Sequence, residues 1–247
     1  LGRPLGHIAP NYPADLTTGA IREELLRTGQ SPSSPGSGNA YSRSLLQRVV
    51  DDGGFALDNS RDYWMDNILE CNAPFFGEVA TLRDPLACYR FHDSNLYLMN
   101  RLDPAHFEYA LKSSAAKLGY LARRCREWGI PFDPSAARNR SPWLLDCRLV
   151  TTKLAAANNP SRTPVREIFC NGIKAHLSDR GPKSVGVARA LWFVGVALSP
   201  RPLATWLIAL RFVVTQRPRW FVRLFARLRN VRPASWRGLP RIQKDEP

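Results

Sequence analysis

No C-x-x-C pair occurs in this 247-residue chain, and its five cysteines (Cys71, Cys88, Cys125, Cys147 and Cys170) are scattered and odd in number. That pattern argues against a disulfide framework and against a zinc site, and for buried thiols in a reducing compartment. No apolar run reaches the ~20 residues that a spanning helix needs. The runs 190–198 and 203–210 are split by Ser199-Pro200-Arg201-Pro202. The opening LGRPLGHIAP has neither a basic n-region nor an apolar h-region, so it does not read as a secretory leader, and a start at Leu1 suggests a fragment. P-loop, G-x-G-x-x-G, H-E-x-x-H and G-x-S-x-G patterns are all absent, as is any D-x-D. Nothing local supports a Ser/His/Asp triad.

Acids are scarce at one end. Residues 180–247 hold 14 Lys and Arg against two acids, Asp245 and Glu246, a net of +12. The preceding residues carry 21 bases against 19 acids, a net of only +2. A near-neutral body therefore carries a basic, arginine-dominated tail suited to phosphate contact. In RPRWFVRLFARLRN, Trp220, Phe221, Leu224, Phe225 and Leu228 fall on one side of a helix. Arg219, Arg223, Arg227 and Arg229 supply its charge. With Trp192 and Trp206 nearby, this suits a helix lying in an anionic membrane interface. Packing on the chain's own domain is the alternative. A nucleic-acid partner is not expected: the tail aromatics have helical spacing and make an apolar face, not a row of stacking platforms.

Along the body, a helix is expected near 20–27, and GQSPSSPGSG (29–38) is a loop. NAYSRSLLQRVV reads as a helix with Leu45, Leu46, Val49 and Val50 on one face. Residues 62–72 read as a helix that Pro74 ends. GEVATL and LACYRFH read as two short strands around Arg83-Asp84-Pro85. From Asp103 the pattern is helical. Asp103 is an N-cap, Pro104 the first helical position and Gly129 the stop, with a seam of Phe107, Leu111, Leu118, Leu121, Cys125 and Trp128. Residues 142–158 and 164–179 are two further amphipathic helices.

Three polar groupings could carry chemistry. Gly36-Ser37-Gly38-Asn39-Ala40-Tyr41-Ser42-Arg43 is a small-residue loop that lets backbone N–H groups approach an anion or a sugar hydroxyl. It is equally readable as a plain helix start capped by Ser42. Asp58, Asp62 and Asp66, with Arg61, gather near a second helix start, where a solvated cap is the simpler reading. In YRFHDSN (89–95), Arg90 and His92 would share one face of a strand, opposite Tyr89 and Phe91. A strand end of this kind builds ligand pockets in α/β folds, unless it is simply exposed.

Taken in order, PSSPGSGNAYSRSLLQRV and RDYWMDNILECNAPFFGEVATLRDPLACYRFHDSN resemble the second half of family 2 glycosyltransferases of the GT-A fold, and GRPLG at 2–6 is similar to the segment after that family's nucleotide-binding half. The resemblance covers about residues 1–100. It implies an α/β fold: the second half of a GT-A-type mixed sheet over 1–100, a helical region over 101–183, and a basic amphipathic tail over 184–247. It implies inverting transfer from a nucleotide-sugar donor to a carbohydrate or lipid-linked acceptor, in polysaccharide or glycolipid synthesis. Asp62 matches the general base, Gly38 and Asn39 the donor- and acceptor-facing loop, and Arg90 and His92 the strand-end residues near the diphosphate. Arg61 stands where many relatives have a second acid, and Asp93 where Gly is common. A divalent cation, Mg or Mn, is expected in the complete enzyme. Without a D-x-D its ligands would lie mostly outside this chain, which would then be inactive alone. The expected location is cytoplasmic, at the inner face of the membrane. The alternative is a non-enzymatic helical module that binds a membrane surface or a partner.

Overall fold

A computed structural model describes residues 16–32, 38–55, 65–81, 99, 101–154, 165–180, 182–213, 216–218 and 220–221. Among them are nine helices: α1 (Thr18–Thr28), α2 (Arg43–Asp51), α3 (Met65–Phe76), α4 (Pro104–Glu127), α5 (Pro134–Arg140), α6 (Pro142–Leu154), α7 (Val165–Leu177), α8 (Lys183–Leu198) and α9 (Arg201–Phe212).

The described residues are 75% helical and 1% strand, with no sheet. This corrects the expected mixed sheet: the described fold is all-helical. The reason is visible at the start of the first expected strand. Gly77–Ala80 stay mostly exposed, and the Val79 amide donates to Thr18 Oγ1 at 2.9 Å. An alternating run becomes a strand only when a neighbouring strand takes up its backbone groups, and here the N-terminal turn of α1 takes one of them. Residues 82–98, which hold the rest of the expected strand pair, lie outside the described residues. Among the described residues, strand-type pairing is limited to an isolated parallel bridge between Met99 and Val213.

Helix starts follow local chemistry. Thr17, Ser42, Asp103 and Asp133 each accept a backbone N–H of the first turn, at Ala20, Leu45, Ala105 and Ser135. Gly29 ends α1 with φ +68°, and a Cβ there would lie 2.2 Å from Leu118 Cδ2. Pro74 does not end α3, which continues to Phe76. Its ring is buried, and its carbonyl accepts two hydrogen bonds from Arg22, at 2.9 and 2.7 Å. Those contacts hold the last turn although the proline lacks an amide donor. Val50 is also not on the buried face of α2: it is exposed, whereas Val49 is fully covered.

Two cores result, and α4 runs through both. One gathers Leu25 of α1, Val49 of α2, Ile68, Leu69 and Cys71 of α3, and Tyr120, Leu121 and Cys125 of α4. The other gathers Phe107 of α4, Leu145, Leu149 and Val150 of α6, Ile168 of α7, Phe193 and Val196 of α8, and Ile208 of α9. Burial of each large apolar side chain contributes about 1.5–3 kcal/mol. Helices α7 and α8 cross closely through glycine. A Cβ on Gly186 would sit 2.6 Å from the His176 carbonyl oxygen, and one on Gly172 would meet the Phe193 ring at 2.2 Å. No helix among the described residues is long and apolar enough to cross a membrane.

Candidate functional site

The expected site residues divide by placement. Asp62, Arg90 and His92 lie outside the described residues, as do Asp58 and Arg61. Gly38 and Asn39 are described, and so is Asp66. Gly38 is exposed and Asn39 half-buried, on the approach to α2. Ser42 does cap that helix, its Oγ accepting from Leu45 N at 3.2 Å. The helix-start reading of residues 36–43 therefore holds for Ser42.

It does not account for Asn39 and Tyr41. The Asn39 side chain hydrogen-bonds Tyr41, and the half-buried phenol packs on the core formed with Ile68, Leu69 and Cys71 of α3, within electrostatic reach of Glu70 and Asp66. Burial, then the charge of Glu70, pushes the Tyr41 hydroxyl up to about 12, so it is a neutral donor at physiological pH. Asp66 sits in the first turn of α3, where its Oδ1 accepts the Asn67 amide at 2.9 Å. Glu70, one turn further on, meets Lys117 of α4 at 2.9 Å, and both side chains are nearly covered. Burial disfavours the Lys117 ammonium, but Glu70, Cys71 and Asp66 outweigh it and hold the group above the usual lysine range. The loop before α2 and the N-terminal turns of α3 thus come together, with two carboxylates, a phenol, an amide and one lysine.

Behind this cluster the scaffold is tied by hydrogen bonds. Asn72 Nδ2 donates to Tyr120 Oη at 2.6 Å and to the Ile68 carbonyl at 2.7 Å. Tyr120 donates onward to the Gly54 carbonyl at 3.0 Å. Arg124 of α4 reaches back to the end of α2, pairing with Asp52. These contacts hold α2, α3 and α4 in register.

Glu70 and Lys117 were in none of the polar groupings read from sequence, and Tyr41 entered only as part of the loop 36–43. A signal did exist for the acids: positions 62, 66 and 70 recur every fourth residue, the spacing of one helix face. Nothing local marks Lys117, because its partner is 47 residues away. The expected divalent cation finds no holder here: among the described residues, no group of three or more His, Cys, Asp or Glu comes together.

A second charged grouping is largely internal. Asp146 of α6 accepts from His176 Nε2 of α7 at 2.9 Å, and its other oxygen pairs with Arg211 of α9. Arg211 lies 4.1 Å over the Trp192 ring. Since a carboxylate only accepts, His176 Nε2 carries a proton. Asp146 and His176 are 1% and 0% exposed, so this grouping ties three helices and reaches the surface only through part of Arg211.

Trp192, which its spacing assigned to an interfacial helix, is partly covered within the fold. Its Nε1 donates to the Leu207 carbonyl at 2.9 Å, and its ring meets Phe212 edge-on. Trp206 and Trp220 are exposed. The remainder of the amphipathic stretch, 222–232, lies outside the described residues.

Comparison of the chain with protein-family models, with curated proteins and with solved structures finds no match.

Proposed function

We propose that this chain supplies the acceptor side of an inverting sugar-transfer site, resembling family 2 glycosyltransferases in the residues of that site. The observation that carries the reading is the packing of Tyr41 on the core beside α3, with Asn39 hydrogen-bonded to its phenol and the charges of Glu70 and Asp66 acting on it. These groups come from the two stretches in which the resemblance is densest. Their chemistry also selects a ligand type. Two carboxylates repel a phosphate, whereas carboxylate, amide and phenol together suit the hydroxyl groups of a neutral sugar acceptor.

In this reading Asp62, three residues before the first residue of α3, is the general base. The acceptor hydroxyl gives its proton to the carboxylate as its oxygen attacks the anomeric carbon of a nucleotide-sugar. The bond from that carbon to the diphosphate breaks, the leaving diphosphate takes the electron pair, and the configuration inverts. A carboxylate suits the task because the hydroxyl becomes acidic only as the new bond forms. Gly38 and Asn39 position the acceptor, and Arg90 and His92 serve the diphosphate side. The divalent cation that would neutralise the leaving group has no holder among the described residues.

The test is sugar transfer by the product of the full reading frame with Asp62→Asn. Loss of general-base catalysis lowers kcat about 10²–10⁴-fold, with little change in KM. Transfer at the unmodified rate would reject the assignment.

A further inference from the structure

We propose that the α8–α9 hairpin is a docking surface for an anionic lipid bilayer, which meets it through Val187, Leu191, Leu198, Leu203 and Trp206. Ordinary surface helices expose charges of both signs, as α4 does with Glu108, Lys112, Arg126 and Glu127. The hairpin differs. Val187, Leu191 and Leu198 repeat at helical spacing along α8 and are 47%, 68% and 74% exposed. Leu203 and Trp206 continue the exposed apolar surface on α9, one turn apart. The charged residues at fully exposed positions of the two helices are Lys183 and Arg201, both cations. Leu198 and Leu203 flank the Ser199–Pro200 turn, so the tip of the hairpin is apolar, with Arg201 between them.

That tip is held in place. Lys153 Nζ donates to the Ser199 carbonyl at 3.1 Å, and Arg201 donates to the Leu154 carbonyl at 2.8 Å. The opposite side of the hairpin is already occupied, since Ala190, Phe193, Val196, Ala204 and Ile208 are buried against the body. The outer face is thus an additional apolar surface, not a displaced core.

Charge identifies the occupant. Between Arg180 and Lys244 the chain has no Asp or Glu and 14 Lys and Arg. A neutral apolar partner gains nothing from a cationic stretch, while an anionic bilayer uses both features: hydrocarbon covers the leucines and headgroups meet Lys183 and Arg201. A nucleic acid would satisfy the cations but leave Leu191, Leu198 and Leu203 in water. With α8 of 16 residues and α9 of 12, the contact lies on the membrane and does not cross it.

The test is co-sedimentation of the 247-residue chain with phosphatidylcholine vesicles, with and without phosphatidylglycerol. Binding is expected with phosphatidylglycerol and not without it. The double variant L198S/L203S is expected to weaken it about tenfold or more, from the lost apolar burial. Circular dichroism of the variant should match the parent, because both side chains are exposed. Should the double variant lose helix content, W206S alone gives the same reading at a smaller fold-change. Failure to bind anionic vesicles, or binding that L198S/L203S and W206S leave undiminished, would overturn the proposal. So would salt-sensitive retention on DNA as strong as that on vesicles and indifferent to both variants.

Discussion

The two cores of this protein handle charge in opposite ways. In the α6–α9 core a single carboxylate, Asp146, is enclosed between His176 and Arg211, with Trp192 and Phe193 packed around those partners. In the α1–α4 core the ionic groups run outward: the nearly covered Lys117 pairs with Glu70, and Asp66 and Tyr41 are half-buried toward the Asn39 loop. Asp146 and His176 are closed off from any ligand. Asp66 and Tyr41 keep part of their surface accessible. The contrast separates scaffold from candidate site, and it orders what substitutions should do.

The largest effect is expected at the enclosed set. Asp146→Ala leaves Arg211 and His176 without their shared acceptor and should cost about 3–5 kcal/mol in urea denaturation. At the Glu70–Lys117 pair the cost should be smaller. Glu70→Gln and Lys117→Met should each lose about 1–3 kcal/mol, because each strands a nearly covered partner. The double variant should recover part of that loss, giving a measurable coupling energy. A cost at Glu70 equal to that at Asp146 would erase the distinction between the two cores.

Tyr120→Phe sharpens the comparison from a neutral group. It removes the acceptor of Asn72 and the donor to the Gly54 carbonyl, for an expected loss of about 1–2 kcal/mol by thermal melting. Cysteine accessibility should have almost no energetic signature and a clear chemical one. In a Cys88→Ser background, Cys170 should react with a thiol reagent in the folded protein. Cys71, Cys125 and Cys147 should react only on unfolding, since all are buried and burial pushes the Cys71 thiol up to about 12. The smallest effect belongs to Leu191→Ser, which should change stability by less than about 0.5 kcal/mol, because the side chain is mostly exposed.

Much of the helical fold was readable in the sequence, for identifiable reasons. The Asp103 cap, Pro104 and the Gly129 stop bound α4 closely, and its seam from Phe107 to Cys125 is the spine of both cores. The helices α6 and α7 followed from 3-4 periodicity. The seven-residue α5 is too short to show a period and was missed. The first strand reading failed over its described residues, 77–81, because alternation over a few residues does not provide a partner strand, and Val79 found Thr18 instead. Pro74 misled because tertiary contacts from Arg22 support a helix turn that local propensity would end. Trp192 misled because the spacing of aromatics does not reveal which side a second helix will cover; α9 covers it through Leu207 and Arg211. The site was legible as residue types in order. The joining of Tyr41, Glu70 and Lys117 depends on packing between segments far apart in the chain.

The most direct measurement is a paired rate comparison in the product of the full reading frame: Asp62→Asn against Asp66→Asn, with kcat read for transfer to a sugar acceptor. If Asp62 is the base and Asp66 a neighbouring contact, the first falls by about 100-fold or more while the second stays within about tenfold of the parent. Equal rates for Asp62→Asn and the parent protein, or a larger loss at Asp66 than at Asp62, would contradict it.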